Sequence, residues 1–488
     1  MSTSVVLGRL GVLSKTVLGH DPRAGSIDEY LGLLAPAIEG DTHLLWLSHA
    51  AISAVFPLHD EFERFRRDQA LNGALPALQK LVSKAKRPLS PNRSVGIRIA
   101  HDTVIVDVHH TARTGLATGI QRVVRQTILE WQAKPEVELV GWDANFTGLR
   151  HLSAPERENA LHGSVPRIAR PREWVLTIPY GTTYILPELA IEQGRTDRLS
   201  CLAEFSGNRT MVIGFDCVPL TSSETVGAGM SAAFANNLSA LAHFDRISTI
   251  SNAAATEYRG WKQMLAGAGL TGPEIVPLLL PSVAEEVSAA DFEVARARLV
   301  TGDAPLVVCV GSHEPRKNHL AVLYAAERLW REGVEFQLVF IGGNGWNGDA
   351  FRRQLERLEA DGRPVKAISA VSDSLLWSAY RLAYLTVFPS LNEGFGLPVG
   401  ESLAAGTPVV TSDFGSMKEI AIGGGAIFVD PRDDDNIYEG FKSGLGDAEL
   451  HARLVAETAL LSDRGWSDYA DSLWQYFVPT GQPSGAAL

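Results

Sequence analysis

The sequence predicts an α/β protein built from two doubly wound domains facing a central cleft, with a helical N-terminal extension. Three observations carry this reading. The chain has 488 residues, 45% of them hydrophobic, which is too much apolar surface for a single core. From about residue 99, short apolar runs of strand length alternate with connections long enough for helices. A second series of the same kind begins near residue 304.

Taken in order, residues 1–98 read as the helical extension, because apolar residues recur at helical spacing around Ile27, Tyr30, Leu31, Leu33 and Leu34. Its last third, from Glu61 to Arg98, carries nine Lys or Arg against three acids, a local balance of 9 − 3 = +6. This reads as a solvated helix face or, alternatively, a patch for anionic lipid or a partner. Lys86 to Asn92, with Pro88 and Pro91, reads as a linker. Residues 99–285 form the first α/β domain, with strands at Thr103–Val108, Met211–Phe215 and Arg246–Ile250, a helix at Gly119–Trp131, and a sheet expected to be parallel. The Pro-rich stretch Leu270–Val283 is the expected hinge. Residues 286–464 form the second domain. Its predicted strands are Leu306–Val310, Gln337–Ile341, Leu385–Phe388 and Pro408–Thr411, and its predicted helices Leu320–Glu332, Leu375–Ala383 and Pro398–Ala405. A final helix spans 465–478, followed by a short low-complexity tail from Pro479.

Composition excludes several classes. A net charge of −12 argues against a nucleic-acid binder. Three cysteines without a C-x-x-C pair fit neither a disulfide framework nor a metal motif and suit a reducing compartment. The first residues lack the apolar run of a secretory signal, and the most apolar stretch, Leu44–Leu58, is shorter than the about 20 residues a spanning helix needs. The expectation is a cytoplasmic protein whose acceptor can lie at the inner face of a membrane, with peripheral association as the corresponding partner mode.

Two segments carry the chemistry. Pro389–Glu401 follows a strand and opens a helix. Gly394 and Gly396 there let backbone N–H groups, including those around Phe395 and Leu397, approach an anion. Pro398 suits the first helical turn, and the helix N-terminus attracts phosphate. Glu393 and Glu401 are acceptors for sugar or ribose hydroxyls. Gly311-Ser312-His313-Glu314-Pro315-Arg316-Lys317-Asn318 also sits at a strand end ahead of a helix. Adjacent cations at a helix N-terminus oppose the dipole, so Arg316 and Lys317 point to a bound anion such as a diphosphate leaving group. His313 stands beside them as a further phosphate contact. His109 and His110 follow a buried strand at the cleft mouth and are candidate acceptor or sugar contacts, against the plainer reading of strand-end histidines. Trp346 reads as a packing residue of its turn or as a sugar-stacking one.

These segments together resemble the retaining GT-B glycosyltransferases of family 4, and among them the mannosyltransferase-like branch. The resemblance rests on the Glu-x7-Glu pair Glu393 and Glu401, on Glu314–Asn318, on the turn Ile341–Trp346, on Thr407–Val410 and Lys418–Ile420, and on Gly465–Ser467. In the first domain, Thr118–Val123 resembles the Gly-Ile-x-Arg segment, and Phe215–Leu220 the His-Asp-x-x-Pro segment with Phe215 in place of His. Ser251 falls in a matching serine segment.

The resemblance implies transfer of a hexose with retention, from a GDP-linked mannose or deoxyhexose, to a hydroxyl of a glycan or lipid-linked glycan in surface polysaccharide synthesis. Arg316 and Lys317 then stabilise the diphosphate and Glu393 orients the sugar. Glu401 holds the ribose, with backbone near Gly311 and Val371 at the nucleotide. Gly119 lets the first domain close over the phosphates, and Asp216 stands in the acceptor cleft. The implied route is front-face, with the leaving phosphate taking the acceptor proton. No cofactor is expected beyond the nucleotide sugar as co-substrate, and no metal: Asp433-Asp434-Asp435 lies in a polar loop and reads as a solvated turn. The competing readings are another sugar-nucleotide enzyme on the same architecture and a non-catalytic nucleotide-sugar-binding scaffold.

Overall fold

The structure, a computed structural model, describes residues 2–116, 118–164, 174–460 and 464–478. The C-terminal tail from Pro479 lies outside the described residues. Two sheets organise the chain. The first contains β1 (Gly96–Ala100), β2 (Val104–Asp107), β3 (Val137–Trp142), β4 (Leu149–His151), β5 (Val175–Pro179), β6 (Thr183–Leu186), β7 (Arg209–Gly214), β8 (Arg246–Thr249) and β9 (Glu274–Pro277), in the order β1-β5-β4-β3-β2-β6-β7-β8-β9. The expectation of an all-parallel sheet is corrected in one place: β4 runs antiparallel to both β3 and β5. The turn Asp143–Gly148 reverses the chain after β3, and the Asp143 carboxylate fixes it by accepting from the N–H groups of Asn145, Thr147 and Gly148.

The second sheet contains β10 (Leu306–Val310), β11 (Gln337–Ile341), β12 (Val365–Ile368), β13 (Leu385–Phe388), β14 (Val409–Ser412) and β15 (Ala426–Val429), all parallel, in the order β12-β11-β10-β13-β14-β15. Counted from β10 this is 3-2-1-4-5-6, so the topological switch point lies between β10 and β13. Connections leave β10 and β13 toward opposite faces, which opens a crevice at their carboxyl ends. Both chemistry-bearing segments begin there.

The N-terminal residues form five helices, Ser2–Val17, Ile27–Ile38, Thr42–Ser53, His59–Asn72 and Ala74–Ala85. They are a layer of the first domain. Leu10, Leu34, Trp46 and Phe62 share one core with Ile97, Trp142, Leu176 and Tyr184 of the sheet. The link is aromatic: Phe56 packs at 5.4 Å from Trp46 and edge-on at 5.7 Å from Trp142. Burial of Leu45–Ile52 on nearly every side of its helix explains the apolar stretch at 44–58. Arg9, 2% exposed, donates to the carbonyls of Ile52, Asn92 and Val95 and so pins the predicted linker to the first helix. Much of the basic excess at 61–98 is paired: Arg66 and Arg67 with Glu63, Lys80 with Asp68, Lys84 with Glu61, and Arg98 with Glu138.

Two boundaries differ from the sequence expectation. Part of the expected hinge, Glu274–Pro277, is the edge strand β9, hydrogen-bonded to β8, so the crossover starts after Pro277. β1 likewise straddles residue 98. The helix Trp466–Phe477 lies on the first-domain helix Gly119–Trp131: Trp131 donates its indole N–H to Ala470 O at 3.1 Å and meets Trp474 edge-on at 5.5 Å. No described helix is long and apolar enough to cross a membrane.

Candidate active site at the interdomain cleft

The site is built at the switch point of the second sheet. Beyond β10, Gly311 adopts φ +148, a conformation L side chains rarely adopt. Gly342, after β11, approaches so closely that a Cβ would stand 1.9 Å from Gly311 O. The chain then makes a single 3-10 turn, Pro315–Lys317, and Asn318 in the left-handed region starts the helix His319–Arg331. Arg316 and Lys317 therefore precede the helix rather than form its first turn, and this aims both cations at the loop after β13.

That loop presents Glu393. Its carboxylate receives Lys317 Nζ at 2.6 Å, Arg316 Nη1 at 2.6 Å and Ser390 Oγ at 2.7 Å. Burial pushes this carboxyl upward, but Arg316 and Lys317 outweigh it and hold it at about 2. Burial lowers the Lys317 ammonium, and Glu393 works against that by holding the charged form. Arg316 also donates to Asn392 O at 2.7 Å. The cluster sets Arg316 and Lys317 against Glu393, with buried Glu314 also 3.4 Å from Arg316, so an arriving anion competes with these carboxylates for two cations already fixed at the crevice.

Glu401 lies one turn into the helix Leu397–Ala404 and is 7% exposed. It accepts from Tyr380 OH at 2.7 Å and pairs across the cleft with Arg122. Burial raises its pKa, and Arg122 and the Tyr380 hydroxyl oppose the rise. Arg122 also reaches Glu285 at 3.3 Å and stacks over Trp377. The carboxylate expected to hold ribose is thus filled by a first-domain guanidinium. Val371, partly buried, follows Ala370, which sits at φ +51 beyond β12.

Glycines set the fit between the domains. A Cβ on Gly394 would stand 2.6 Å from Asp216 Oδ2 and 2.8 Å from Phe215 O, and one on Gly119 would stand 3.1 Å from Leu397 Cδ1. Ser251 Oγ donates to Gly394 O at 2.6 Å. Phe395 and Phe215 enter the same core under this contact, and Gly396 turns the chain at φ +95. Gly394→Ala is expected to cost about 1–3 kcal/mol of the closed arrangement, as overpacking does. Small-angle scattering should show a more open particle; an unchanged radius of gyration would count against this fit.

Asp216 is brought to the cleft. Burial raises its carboxyl to about 6, with Arg316 opposing and Glu257 adding to the rise. The histidines fare differently. His109 is 6% exposed and its Nδ1 accepts from Trp142 N at 3.0 Å. Burial, with Arg195, Arg113 and Arg150 nearby, lowers it to about 2, so the ring is neutral and packs within the first domain. His313 is 7% exposed and packs on His319 and Phe351 at ring distances of 5.5 and 4.7 Å, which places its ring among these aromatics. His110 is half-buried, with Nδ1 at 3.3 Å from Gln121 Nε2 in the turn that caps the Gly119 helix. Trp346, 44% exposed, donates to Thr225 O at 2.8 Å across the cleft. Asp433 caps the helix Asp434–Gly446, as a solvated turn would, and among the described residues no His, Cys, Asp and Glu cluster is arranged to hold a metal.

Sequence reasoning missed a buried ionic network under His110. Arg195 lies 3.0 Å from Asp107 and 2.8 Å from Glu188, all three at or below 1% exposure. Glu188 also accepts from His110 N and Thr111 N, while Asp107 accepts from Trp142 Nε1. Asp107 lies 188 − 107 = 81 and 195 − 107 = 88 positions from Glu188 and Arg195, and the strand order β2-β6 brings it to them.

Two doubly wound domains with cationic and carboxylate side chains converging on the cleft define a GT-B glycosyltransferase architecture. Residues 291–459 match the family Glycosyl transferases group 1, so the chain carries a group 1 glycosyltransferase domain. It is 28% identical over 334 residues to the serotype-specific mannosyltransferase WbdA of Escherichia coli, covering 65% of this chain and 40% of that protein. It is 34% identical over 139 residues to the O-antigen chain mannosyltransferase B of Escherichia coli, covering 28% of this chain and 36% of that one. The chain thus spans less than half the length of these relatives. Among solved structures, Anabaena Alr3699/HepE in complex with UDP-glucose aligns with TM-score 0.56 at 13% identity, covering 77% of this chain and 99% of that chain. WaaG, a glycosyltransferase involved in lipopolysaccharide biosynthesis, aligns with TM-score 0.52 at 14% identity, covering 77% and 100%.

Proposed function

We propose that the protein is a retaining hexosyltransferase that moves mannose or a related deoxyhexose from a GDP-linked donor to a hydroxyl of a glycan or lipid-linked glycan during surface polysaccharide assembly. The observation that carries this reading is the Arg316–Lys317–Glu393 cluster at the switch-point crevice, opposite Glu401. The similarity to a serotype-specific mannosyltransferase and to an O-antigen chain mannosyltransferase supports the choice of sugar. In this reading the donor diphosphate takes Lys317 and Arg316, and Glu393 turns its released oxygens to the sugar hydroxyls. Charge builds on the leaving phosphate as the glycosidic bond lengthens, so cations already in place stabilise the transition state more than the ground state. The leaving phosphate oxygen takes the proton of the attacking hydroxyl on the same face, and Asp216 orients that hydroxyl.

A thermal-shift panel of GDP-, UDP-, dTDP- and ADP-sugars tests the donor. One nucleotide class should stabilise the protein, by about 2.7 kcal/mol at 100 times its dissociation constant, and product anomer analysis by NMR should show retention. Binding without transfer to any acceptor would favour the scaffold reading.

Asp216 gives a pH prediction. Its carboxyl, raised from 3.8 to about 6, orients the hydroxyl best as the ionised hydrogen-bond acceptor, so kcat/KM should rise with pH through about 6 and level off above it. Stability runs the other way. The protonated form favours the fold, fully so below 3.8, and that contribution is lost as pH rises through about 6. Asp216→Asn should therefore flatten the rate profile and raise the melting temperature at neutral pH. A wild-type profile that is flat from pH 5 to 8 would remove Asp216 from this role.

A further inference from the structure

We infer that the acceptor side of the cleft contains a subsite for a compact apolar group, so that the preferred acceptor carries such a group next to its reacting hydroxyl. The inference rests on the transferase reading above and deepens it. A cavity of about 150 Å³ opens between the carboxyl end of β7 and the helix Met230–Leu241, with Arg316 and Trp346 of the second domain at its rim. Its walls include Phe215, Val218, Met230 and Phe234, and its polar groups are those of Asp216, Glu188, Asn237 and Arg316 with the Tyr258 hydroxyl and the Trp346 indole N–H.

Glu188, Arg316 and the Trp346 indole are already engaged, the last with Thr225 O. Both Glu188 oxygens accept from backbone N–H groups, one of them also from Arg195. Arg316 is held by Glu393 and Asn392. Asp216 Oδ1 accepts from Val218 N at 3.1 Å, which leaves Asp216 Oδ2, Asn237 and the Tyr258 hydroxyl to meet a ligand. A hexose ring seated here would bury several hydroxyls against carbon, and an unpaired buried hydroxyl weakens binding. A hydrocarbon group loses nothing in the same place, and a cavity of this volume accommodates a group the size of benzene. Asp216 then receives the hydroxyl beside that group, at the edge facing the Arg316–Lys317 pair. The half-exposed Trp346 indole, anchored to Thr225 O, roofs the rim.

The apolar group can come from two sources, an isoprenoid segment of a lipid carrier or an alkyl substituent on the acceptor sugar. The probes separate them. Methyl, phenyl and 3-methylbut-2-enyl α-mannosides, together with an O-methylated methyl mannoside, are titrated by calorimetry into the full chain with saturating nucleotide, and then used as acceptors. Wild type should bind the phenyl glycoside at least tenfold more tightly than the methyl one, with the difference in KM rather than kcat. Preference for the prenyl probe over the O-methyl probe assigns a lipid source, and the reverse order a substituted sugar. In Met230→Trp, which fills the cavity from its rim, the phenyl-to-methyl ratio should fall to about one. Equal binding of phenyl and methyl glycosides by wild type overturns the subsite whether or not transfer is seen. Donor hydrolysis by wild type without acceptor is the separate check on the transferase reading, so that failure of each is distinguishable.

Discussion

Lys317→Ala is expected to lower kcat for transfer by about 10²–10³-fold, equivalent to about 3–4 kcal/mol of transition-state stabilisation, if the lysine acts like an oxyanion-hole donor. The lysine is 8% exposed, held 2.6 Å from Glu393 and above the Phe388 ring at 5.0 Å. A cation fixed in a crevice with little water acts on developing phosphate charge without reorganising first, and this is where its leverage comes from. Alanine leaves Glu393 paired with Arg316 at 2.6 Å. The fold should therefore survive, with a melting temperature close to wild type. The thermal shift given by the donor nucleotide should shrink as well, because a diphosphate in the ground state loses the same partner. Steady-state kinetics with the donor found by the nucleotide panel decides the matter. A variant retaining activity within threefold would mean that Lys317 only balances Glu393, and the proposed chemistry would have to be relocated.

How far this site could be read from the sequence follows from where its parts lie. Arg316, Lys317 and Glu393 follow the end of a buried parallel strand by 316 − 310 = 6, 317 − 310 = 7 and 393 − 388 = 5 residues, and such strands are conspicuous; Glu401 lies in the helix that follows. Leu306–Val310, Leu338–Ile341 and Leu385–Phe388 are unbroken apolar or β-branched runs, each ended by Gly or Pro, and the observed strand limits match the expected ones. The first domain was less legible for the same reason in reverse. β4 is three residues long, and β5 and β6 are separated from β2 by intervening segments, so neither periodicity nor length announces them. The N-terminal helices looked detachable because their amphipathic pattern shows that a face is buried but not what covers it. Arg122 stood in a segment singled out for Gly119, yet its pairing with Glu401 depends on closure of two domains and has no local signature. The packing of His109 and His313 was not legible, because a histidine at a strand end can turn into the core or the cleft, and neighbouring aromatics such as Phe146 and Phe351 decide which.

Arg195→Met should destabilise the protein by about 3–5 kcal/mol, the cost of leaving a buried charge without its partner. Arg195 is 0% exposed, and it is the cation between Asp107 and Glu188, themselves 0% and 1% exposed. Burial works against its charge, and the two carboxylates more than restore it. Burial and Asp107 push the Glu188 carboxyl upward, while Arg195 holds it down. Removing the guanidinium therefore drives Glu188 to take up a proton or to draw in water. Either change loosens its acceptance from His110 N and Thr111 N, the contacts that place the turn ahead of the Gly119 helix. The effect should thus reach the cleft: chemical denaturation would show the stability loss, and kcat would fall while nucleotide binding in the second domain persists. A triple replacement, Asp107→Leu with Glu188→Met and Arg195→Met, should recover much of the stability but not the activity, since an apolar trio can pack without charges yet cannot hold the two N–H groups. A loss below 1 kcal/mol in the single variant would show that water reaches the carboxylates and that the network is not the rigid floor of the cleft.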